Sequence, residues 1–286
     1  MRIAAEDGLE LVGFYAAPDG GARSAVLHTH GLAGNFYENR FVTAVGRDLV
    51  EKGVAFLTYN NRGHDYRSDN LHGEGADTEF RLGGSMFDVF GECVFDIAGA
   101  AAYLQTMGHH EIYFEGHSLG TNKTVHYLVE RRDPRAAGVI LISPPDMFGL
   151  RENALGGAID EVVAHARDLV TEHEGETLLE AGYVVPFSAD TVVGLYGARR
   201  KTDIFPFRLG AAGDYSALGS LTPPILATFG TVDEAVTVSV EEAAALMREK
   251  ASSAGRVDVQ VIEGANHVYC GFEETLAGAI ADFVEA

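Results

Sequence analysis

Several features that would assign a chain to a particular class of protein are scarce or missing here. No run approaches the roughly 18 to 20 apolar residues that a membrane span needs, and the N-terminal residues contain no apolar core of signal-peptide length. The two cysteines, Cys93 and Cys270, are too few for a disulfide framework and have no metal-type spacing. We therefore expect a cytoplasmic protein that does not associate with a membrane.

Basic residues are also scarce. Lys and Arg number 21 against 42 Asp and Glu, which gives a net charge of -21. Because phosphate binding needs clustered Lys and Arg, the composition argues against a nucleic-acid partner. No group of His, Cys, Asp and Glu has the spacing of metal ligands, and no G-x-G-x-x-G follows the first predicted strand. The sequence therefore predicts no cofactor and no metal.

What the chain does contain is an alternation of apolar strands and amphipathic helices. Its 286 residues, 47% of them hydrophobic, suit one α/β domain, with or without a large insertion. Strands are predicted at residues 9–17, 24–30, 54–59, 112–114, 137–143, 225–229 and 257–262. Helices are predicted at residues 36–50, 87–104, 121–131, 239–251 and 276–283. This alternation is typical of a mostly parallel sheet with helices on both faces.

Two stretches interrupt the alternation. Residues 60–84 show no clear periodicity, and a loop of that length in a compact domain is usually functional or mobile. Residues 146–222 contain helix-like segments and no convincing buried strand. These segments lie at about 155–170, 172–182 and 188–200. We interpret residues 146–222 as an α-helical lid inserted into a core domain formed by residues 1–145 and 223–286.

A glycine-rich turn between a strand and a helix supplies the first candidate for catalysis. The predicted strand 112–114 leads into Gly116-His-Ser-Leu-Gly120, and a helix follows. In such a G-x-S-x-G turn, side chains two residues either side of the serine would collide, and Ser118 is left strained and exposed. His117 is expected to point away from the serine. Strand, sharp turn and helix together indicate a nucleophile, although a glycine-rich turn with a capping serine has the same pattern.

Two loops that follow strands supply a base and an acid for this serine. A serine hydroxyl needs a base to take its proton, and the base needs an acid that orients it. Both are expected at the carboxyl ends of strands, because a parallel sheet gathers its sites there. Asp233 and His267 each follow one of the last two predicted strands. The order Ser118, Asp233, His267 therefore predicts a catalytic triad, with Asp146 and Glu234 left open as alternative acids.

With these residues placed, the sequence resembles the α/β-hydrolase family from about residue 8 to residue 284, apart from the lid. His28-Thr-His-Gly31 resembles the family's oxyanion segment, and Gly116–Gly120 resembles its nucleophile elbow. Gly230–Val236 resembles the acid loop, and Gly264–His267 resembles the histidine loop. The resemblance implies an α/β-hydrolase fold with a mostly parallel central sheet, helices on both faces and a helical lid.

The resemblance also implies a role for each site residue. Ser118 would attack the acyl carbon, His267 would act as general base and then as general acid, and Asp233 would hold the imidazole tautomer. The backbone N–H groups of Leu32 and Leu119 would bind the oxyanion.

Two further segments bear on the resemblance. The run that begins Arg81-Leu-Gly-Gly and continues through Asp96 and Tyr103 is similar to a branch that includes esterases of fungal siderophores. Asn60-Asn-Arg-Gly63 departs from the more frequent D-x-R-G. This departure puts no catalytic role in doubt, because the segment shapes the rim of the site.

These observations predict a serine hydrolase that cleaves a carboxylic ester of a small to medium, partly hydrophobic substrate through an acyl-serine intermediate. His30, His64 and Tyr196 are the candidate substrate-binding residues, although His28 and His30 can also support the oxyanion loop by hydrogen bonds. Thioester, amide or C–C bond cleavage, a lyase or acyltransferase on the same triad, and a ligand-binding protein on a hydrolase scaffold stay open. The expected partner is a small-molecule substrate, and a homodimer stays open.

Overall fold

The computed structural model describes residues 1–73, 75–180, 185–197 and 199–286. The strands are β1 (Arg2–Ala4), β2 (Glu10–Ala16), β3 (Ser24–Thr29), β4 (Ala55–Tyr59), β5 (Ser68–His72), β6 (Glu79–Gly83), β7 (Glu111–His117), β8 (Ala136–Ile142), β9 (Leu178–Leu179), β10 (Phe187–Ser188), β11 (Ile225–Gly230) and β12 (Val257–Ile262). The helices are α1 (Arg40–Glu51), α2 (Cys93–Thr106), α3 (Leu119–Arg131), α4 (Met147–Leu155), α5 (Ile159–Thr171), α6 (Ala189–Val192), α7 (Arg199–Thr202), α8 (Ser216–Gly219), α9 (Val240–Lys250) and α10 (Glu273–Glu285). None of the helices in this described part of the chain is long and apolar enough to cross a membrane.

Eight strands form the central sheet, in the order β1-β2-β4-β3-β7-β8-β11-β12. All neighbours from β4 to β12 are parallel, whereas β1 and β2 run antiparallel to their neighbours. The predicted mostly parallel sheet with helices is therefore confirmed. Strand β1 was not predicted, because three residues are too few to show a periodicity.

The register of the sheet brings the carboxyl ends of the parallel strands side by side. Thr29 pairs with Tyr59 on one side and with Gly116 on the other. Ile142 pairs with His117 and with Thr228 in the same way. The loops after these strands therefore leave the sheet at one edge, which is where a parallel sheet collects its functional residues.

Two apolar layers hold the sheet between its helices. Leu27 of β3 packs into a layer with α2, α3 and α9, whereas its neighbour Val26 packs into a layer with α1 and α10. Fully burying an aliphatic side chain of this size contributes about 1.5–3 kcal/mol. Because successive residues of a strand point to opposite faces, the apolar runs of the inner strands supply both layers at once.

Residues 60–84, predicted as a loop, contain a β hairpin. Strand β5 pairs antiparallel with β6, with Asn70 opposite Arg81, and Leu9 forms a bridge to His72 at its base. Both strands are short and mostly not buried. In β6, Phe80 and Leu82 alternate with polar residues, but both side chains are exposed, and β5 shows no such alternation. The loop prediction was wrong for these two segments.

The segment 146–222 also differs in detail from its prediction. Helices α4 and α5 overlap the first predicted helix, but the second, at 172–182, is not formed in its described part. His173 has a φ of 64° after the end of α5, and the chain then continues through turns into β9, which pairs with β10. Residues 181 and 182 of that predicted helix lie outside the described residues. The third predicted helix is divided into α6, a π turn at Val193–Gly197 and α7.

A third apolar cluster joins this segment to the carboxyl edge of the sheet. Phe148 and Tyr196 of the segment belong to the same cluster as Leu119, and Leu32 packs against it. Helices α4, α5 and α6 and the π turn therefore lie over the turn that carries Ser118, whereas Phe207 and Leu218 of the same segment pack into the layer with α2, α3 and α9. That they form a separate lid domain stays a prediction.

Candidate active site

Ser118 lies on a strained turn between β7 and α3. Its φ of 55° and ψ of -131° are unusual for a residue with a side chain and cost on the order of 1–3 kcal/mol. A Cβ on Gly116 would collide with the Gly120 carbonyl, and a Cβ on Gly120 would collide with the Thr29 carbonyl. Both glycines are therefore required for the turn, and the turn presents the serine hydroxyl at the carboxyl edge of the sheet.

The loop after β3 lies directly against this turn. A Cβ on Gly31 would lie 2.7 Å from the Cβ of Ser118, so only glycine permits the approach. The N–H of Leu119 is the first of α3 and has no partner within the helix. In the described part of the chain, neither this N–H nor that of Leu32 donates a hydrogen bond. Two free backbone donors thus flank Ser118.

His267 and Asp233 form a hydrogen-bonded pair at the same edge. The distance from His267 Nδ1 to Asp233 Oδ1 is 2.8 Å, and Ala235 N–H donates to the same oxygen at 2.9 Å. Burial raises the pKa of Asp233, but the hydrogen bond and charge of His267, the Ser143 hydroxyl and the N–H of Ala235 lower it more, so that its pKa lies below the usual value. The ionised carboxylate keeps the proton of His267 on Nδ1 and leaves Nε2 free to accept one.

The hydroxyl of Ser118 and the Nε2 of His267 make no hydrogen bond with each other or with any other described residue. Catalytic hydrogen bonds are often long in the absence of substrate and tighten in the substrate complex. Both groups are therefore available to a ligand that enters between them.

His117, inside the turn, supports the histidine loop. Its Nε2–H donates to the backbone carbonyl of His267 at 2.8 Å, and the two rings lie 4.9 Å apart. Burial, with the nearby His267, lowers the pKa of His117 to about 3, so its ring is neutral. The serine turn and the base are thus connected through a side chain that points away from the serine, as predicted from its place in the turn.

The alternative acids lie elsewhere. Asp146 is fully buried and accepts from the N–H groups of Gly149 and Arg208 at 2.8 and 2.7 Å. Its carboxylate also accepts from Arg208 Nη1 at 2.7 Å and from the Thr237 hydroxyl at 3.2 Å. Glu234 is exposed, and it accepts only a long 3.4 Å bond from the backbone N–H of His267. Of the three candidates, Asp233 is the one whose carboxylate contacts the imidazole.

The predicted substrate-binding residues have other partners. His30 is fully buried, and its ring nitrogens bond to the backbone of Gly31 and Asn61. His64 lies between Asp65 and Asn70, at 2.8 and 3.2 Å. Tyr196 is buried, edge-on to Phe148 and 5.7 Å from the guanidinium of Arg151. Of the three, only His64 retains some exposure, so it is the candidate for substrate contact that the geometry favours.

Sequence reasoning did not find Tyr269, which is fully buried two residues after His267. Its hydroxyl bonds to Thr228 at 2.8 Å and to Ser143 at 3.1 Å, at the ends of β11 and β8. It therefore fixes the chain just after His267 to the sheet. No motif marks such a residue, because its partners lie some 40 and 126 positions away. Within the described residues, no group of three or more His, Cys, Asp or Glu could hold a metal ion.

Comparison with known proteins gives a family and a set of similar folds. The family described as the alpha/beta hydrolase fold matches residues 24–166, which is half of the chain. No curated protein sequence matches at a significant level. Among solved structures, the Est1E protein of Butyrivibrio proteoclasticus bound to ferulic acid is 20% identical, with a TM-score of 0.65 over 99% of this chain and 97% of that one.

Two other esterases have similar folds. The Pyrococcus furiosus esterase Pf2001 is 18% identical, with a TM-score of 0.61 over 100% of this chain and 90% of that one. The esterase EaEST of Exiguobacterium antarcticum is 15% identical, with a TM-score of 0.59 over 100% of this chain and 99% of that one. At these identities the similarity establishes the architecture.

Proposed function

The chain belongs to the alpha/beta hydrolase family, and from this premise we propose that it is a serine hydrolase that cleaves carboxylic esters through an acyl-serine intermediate. The observation that carries the proposal is the hydrogen-bonded pair of His267 and Asp233 at the sheet edge that also presents the strained Ser118. A capping serine in a structural turn needs neither a paired histidine nor two free backbone donors beside it.

The proposed reaction begins when the Oγ of Ser118 attacks the acyl carbon and His267 Nε2 takes its proton. The carbonyl π electrons move to oxygen, where the N–H groups of Leu32 and Leu119 bind the negative charge. When the tetrahedral intermediate collapses, the C–O bond to the alcohol breaks and His267 returns the proton to the leaving oxygen. Water then attacks the acyl-serine by the same steps. Asp233 stabilises the imidazolium that forms in each half.

The apolar cluster over the serine turn supports a substrate with a hydrophobic acyl group. Leu32 and Leu119, which supply the oxyanion donors, pack with Phe148 and Tyr196 of the segment 146–222. An acyl chain bound at Ser118 would lie beside these side chains. Since the similar Est1E structure contains ferulic acid, aromatic acyl esters belong in the substrate screen beside aliphatic ones.

A substrate screen combined with intact mass spectrometry tests this proposal. Esters, thioesters and amides of varied acyl length are offered to the protein, and the acyl-serine is detected by its mass. The variant Ser118→Ala should lose about 10⁴- to 10⁶-fold in turnover with an unchanged circular dichroism spectrum. Turnover retained by this variant would refute the nucleophile. Saturable binding without an acyl adduct or product would support a ligand-binding protein instead.

A further inference from the structure

A buried lysine lies one turn beyond the serine on the helix that the serine begins. Lys123 of α3 is 1% exposed, although an ammonium group in a protein interior is costly unless it is paired. Its Nζ donates to Asp88 Oδ2 at 2.6 Å and to Asn61 Oδ1 at 3.2 Å. Because buried ion pairs contribute little net stability compared with apolar residues of the same size, the position of this pair needs a reason beyond stability.

Lys123 decides which way the amide of Asn61 faces. An ammonium group can only donate hydrogen bonds, so the amide atom that faces it is the oxygen. The N–H of Gly63 donates to the same oxygen at 3.0 Å. The amide nitrogen must then point the other way, where it donates to the backbone carbonyl of His30 at 3.2 Å. The ammonium group of Lys123 thus holds the amide N–H of Asn61 as a donor against His30, the residue before Gly31.

Asn61 also fixes the tautomer of His30. Its backbone N–H donates to His30 Nε2 at 3.0 Å, so the ring proton is on Nδ1. That Nδ1–H donates to the carbonyl of Gly31 at 2.9 Å. Burial lowers the pKa of His30 well below its usual value, and the charge of Lys123 lowers it as well, although the bond to Gly31 acts in the opposite direction. The ring therefore stays neutral, with one donor aimed at Gly31.

The Gly31 carbonyl and the Leu32 N–H belong to the same peptide unit. Because a trans peptide is planar, its C=O and N–H point in opposite directions. A hydrogen bond that holds the carbonyl of Gly31 towards His30 therefore aims the N–H of Leu32 away from it. Leu32 N–H is one of the two free donors beside Ser118. The chain of contacts runs from Lys123 through Asn61 and His30 to this donor.

We infer that Lys123 is a positioning residue, which acts through Asn61 and His30 to orient the Gly31–Leu32 peptide as an oxyanion donor. The inference rests on the proposed serine hydrolase function. Lys123 touches no reacting atom, so its contribution falls on the transition state, in which the oxygen carries a negative charge, and not on substrate binding.

Two variants test the inference. The first, Lys123→Met combined with Asp88→Asn, removes the charge pair without leaving an unpaired carboxylate. The second, Asn61→Asp, keeps the size and a partner for Lys123 but replaces the donor to the His30 carbonyl by an acceptor. A control on the same helix is Tyr127→Phe, which removes a buried 2.5 Å hydrogen bond to Asp133 that has no connection to Gly31.

Each variant is measured for kcat and KM with a p-nitrophenyl ester and for inhibition by a trifluoromethyl ketone. The ketone carbon bonds to Ser118 Oγ, the serine proton passes to His267, and the resulting oxyanion needs the Leu32 donor. We expect kcat to fall about 10²-fold in the double variant and about 10-fold in Asn61→Asp, with KM within about 3-fold. Inhibition by the ketone should weaken by the same factors, and Tyr127→Phe should change the melting temperature but not kcat.

The inference is overturned if the folded variants keep kcat within about 3-fold of the original protein, or if Tyr127→Phe loses as much activity. Unchanged inhibition by the ketone beside a lower kcat overturns it as well. If the double variant does not fold, Asn61→Asp decides the matter by the same criteria. An unsubstituted protein that forms no adduct at Ser118 with a fluorophosphonate refutes the proposed function, and this inference with it. If the unsubstituted protein forms the adduct but the variants keep their kcat and their inhibition by the ketone, the inference alone is refuted.

Discussion

Replacing Asp233 by asparagine tests the acid of the proposed triad, and the contacts of its carboxylate define what the amide can do. In one orientation the amide oxygen keeps both bonds that Oδ1 accepts, from His267 Nδ1 and from Ala235 N–H. Its NH₂ group then replaces Oδ2, which is buried. The Ser143 hydroxyl, which helps to lower the pKa of the carboxyl, can accept from this NH₂ group, so this orientation loses mainly the negative charge.

The opposite orientation is worse for catalysis. The NH₂ group would face Ala235 N–H, donor against donor, and would donate to His267 Nδ1. The imidazole proton would then be on Nε2, towards Ser118. A protonated Nε2 cannot accept the serine proton. In both orientations the negative charge that stabilises the imidazolium is lost. We expect kcat to fall about 10³- to 10⁴-fold, which corresponds to about 4–5.5 kcal/mol in the activation free energy.

The assay is steady-state hydrolysis of the best ester from the substrate screen, with circular dichroism to establish that each variant is folded. Glu234→Gln is the matched control, since it makes the same carboxylate-to-amide change one residue away on an exposed side chain, and it should keep its rate. A nearly normal rate for Asp233→Asn would refute this account of the triad and would transfer the role to Asp146.

Three further predictions concern the surroundings of the site. Asp146→Asn should lower the free energy of unfolding by about 1–3 kcal/mol in urea denaturation, because its NH₂ group would face donors that now bond to the carboxylate, while Arg208 keeps Asp203 and Glu152 as partners; kinetics should find kcat little changed. The pKa of His117 is about 3 instead of the ordinary 6.5, so the unfolded chain binds its proton first as pH falls, and stability is lost from about pH 6.5 downwards. Between about pH 7.5 and about pH 5, the free energy of unfolding should fall by about 2 kcal/mol less in His117→Asn than in the unsubstituted protein, as measured by denaturation. An equal fall in both proteins would contradict the burial argument. Gly120→Ala should prevent folding or lower the melting temperature steeply, whereas Gly91→Ala, whose Cβ would meet nothing within 4 Å, should leave it unchanged.

Those parts of the fold and the site that depend on neighbours in sequence were predictable. The inner strands are apolar runs, and each residue of the proposed triad follows a strand by a few positions. The order of the strands in the sheet then brings Ser118, Asp233 and His267 to one edge without any further information. The hydrogen bond from His267 to Asp233 follows the prediction, although the sequence left Asp146 open because it also follows a strand.

The features that escaped prediction depend on contacts between distant residues. The hairpin of β5 and β6 consists of two short strands, of which only β6 shows an apolar alternation, and its Phe80 and Leu82 are exposed. For His30 the sequence left open substrate contact and support of the oxyanion loop, and the bonds of its ring to Gly31 and to Asn61, which lies 31 positions away, favour the second role. Lys123 and Asn61 are separated by 62 positions. A lysine in an otherwise buried part of α3 is the one local signal that pointed to this network.

Backbone strain distinguishes the site from the rest of the scaffold more sharply than any side-chain pattern does. Among the described residues other than glycine, seven have positive φ. Two of them, Arg132 and His173, follow helices, where the left-handed conformation is an ordinary way to end a helix. The other five all follow strands at the carboxyl edge of the sheet: Ala33, Asp65, Ser118, Ser143 and Tyr269.

At about 1–3 kcal/mol for each such residue, these five positions together cost an amount comparable to the net stability of an ordinary domain. They persist because the two apolar layers fix the strand ends and because buried hydrogen bonds, such as those of Tyr269 and His117, hold the loops. Three of the five residues lie in loops of the proposed site: Ala33 follows Leu32, Ser118 is the proposed nucleophile, and Tyr269 follows His267 by two positions. This concentration of strain indicates that the sheet holds these groups in place before a substrate arrives.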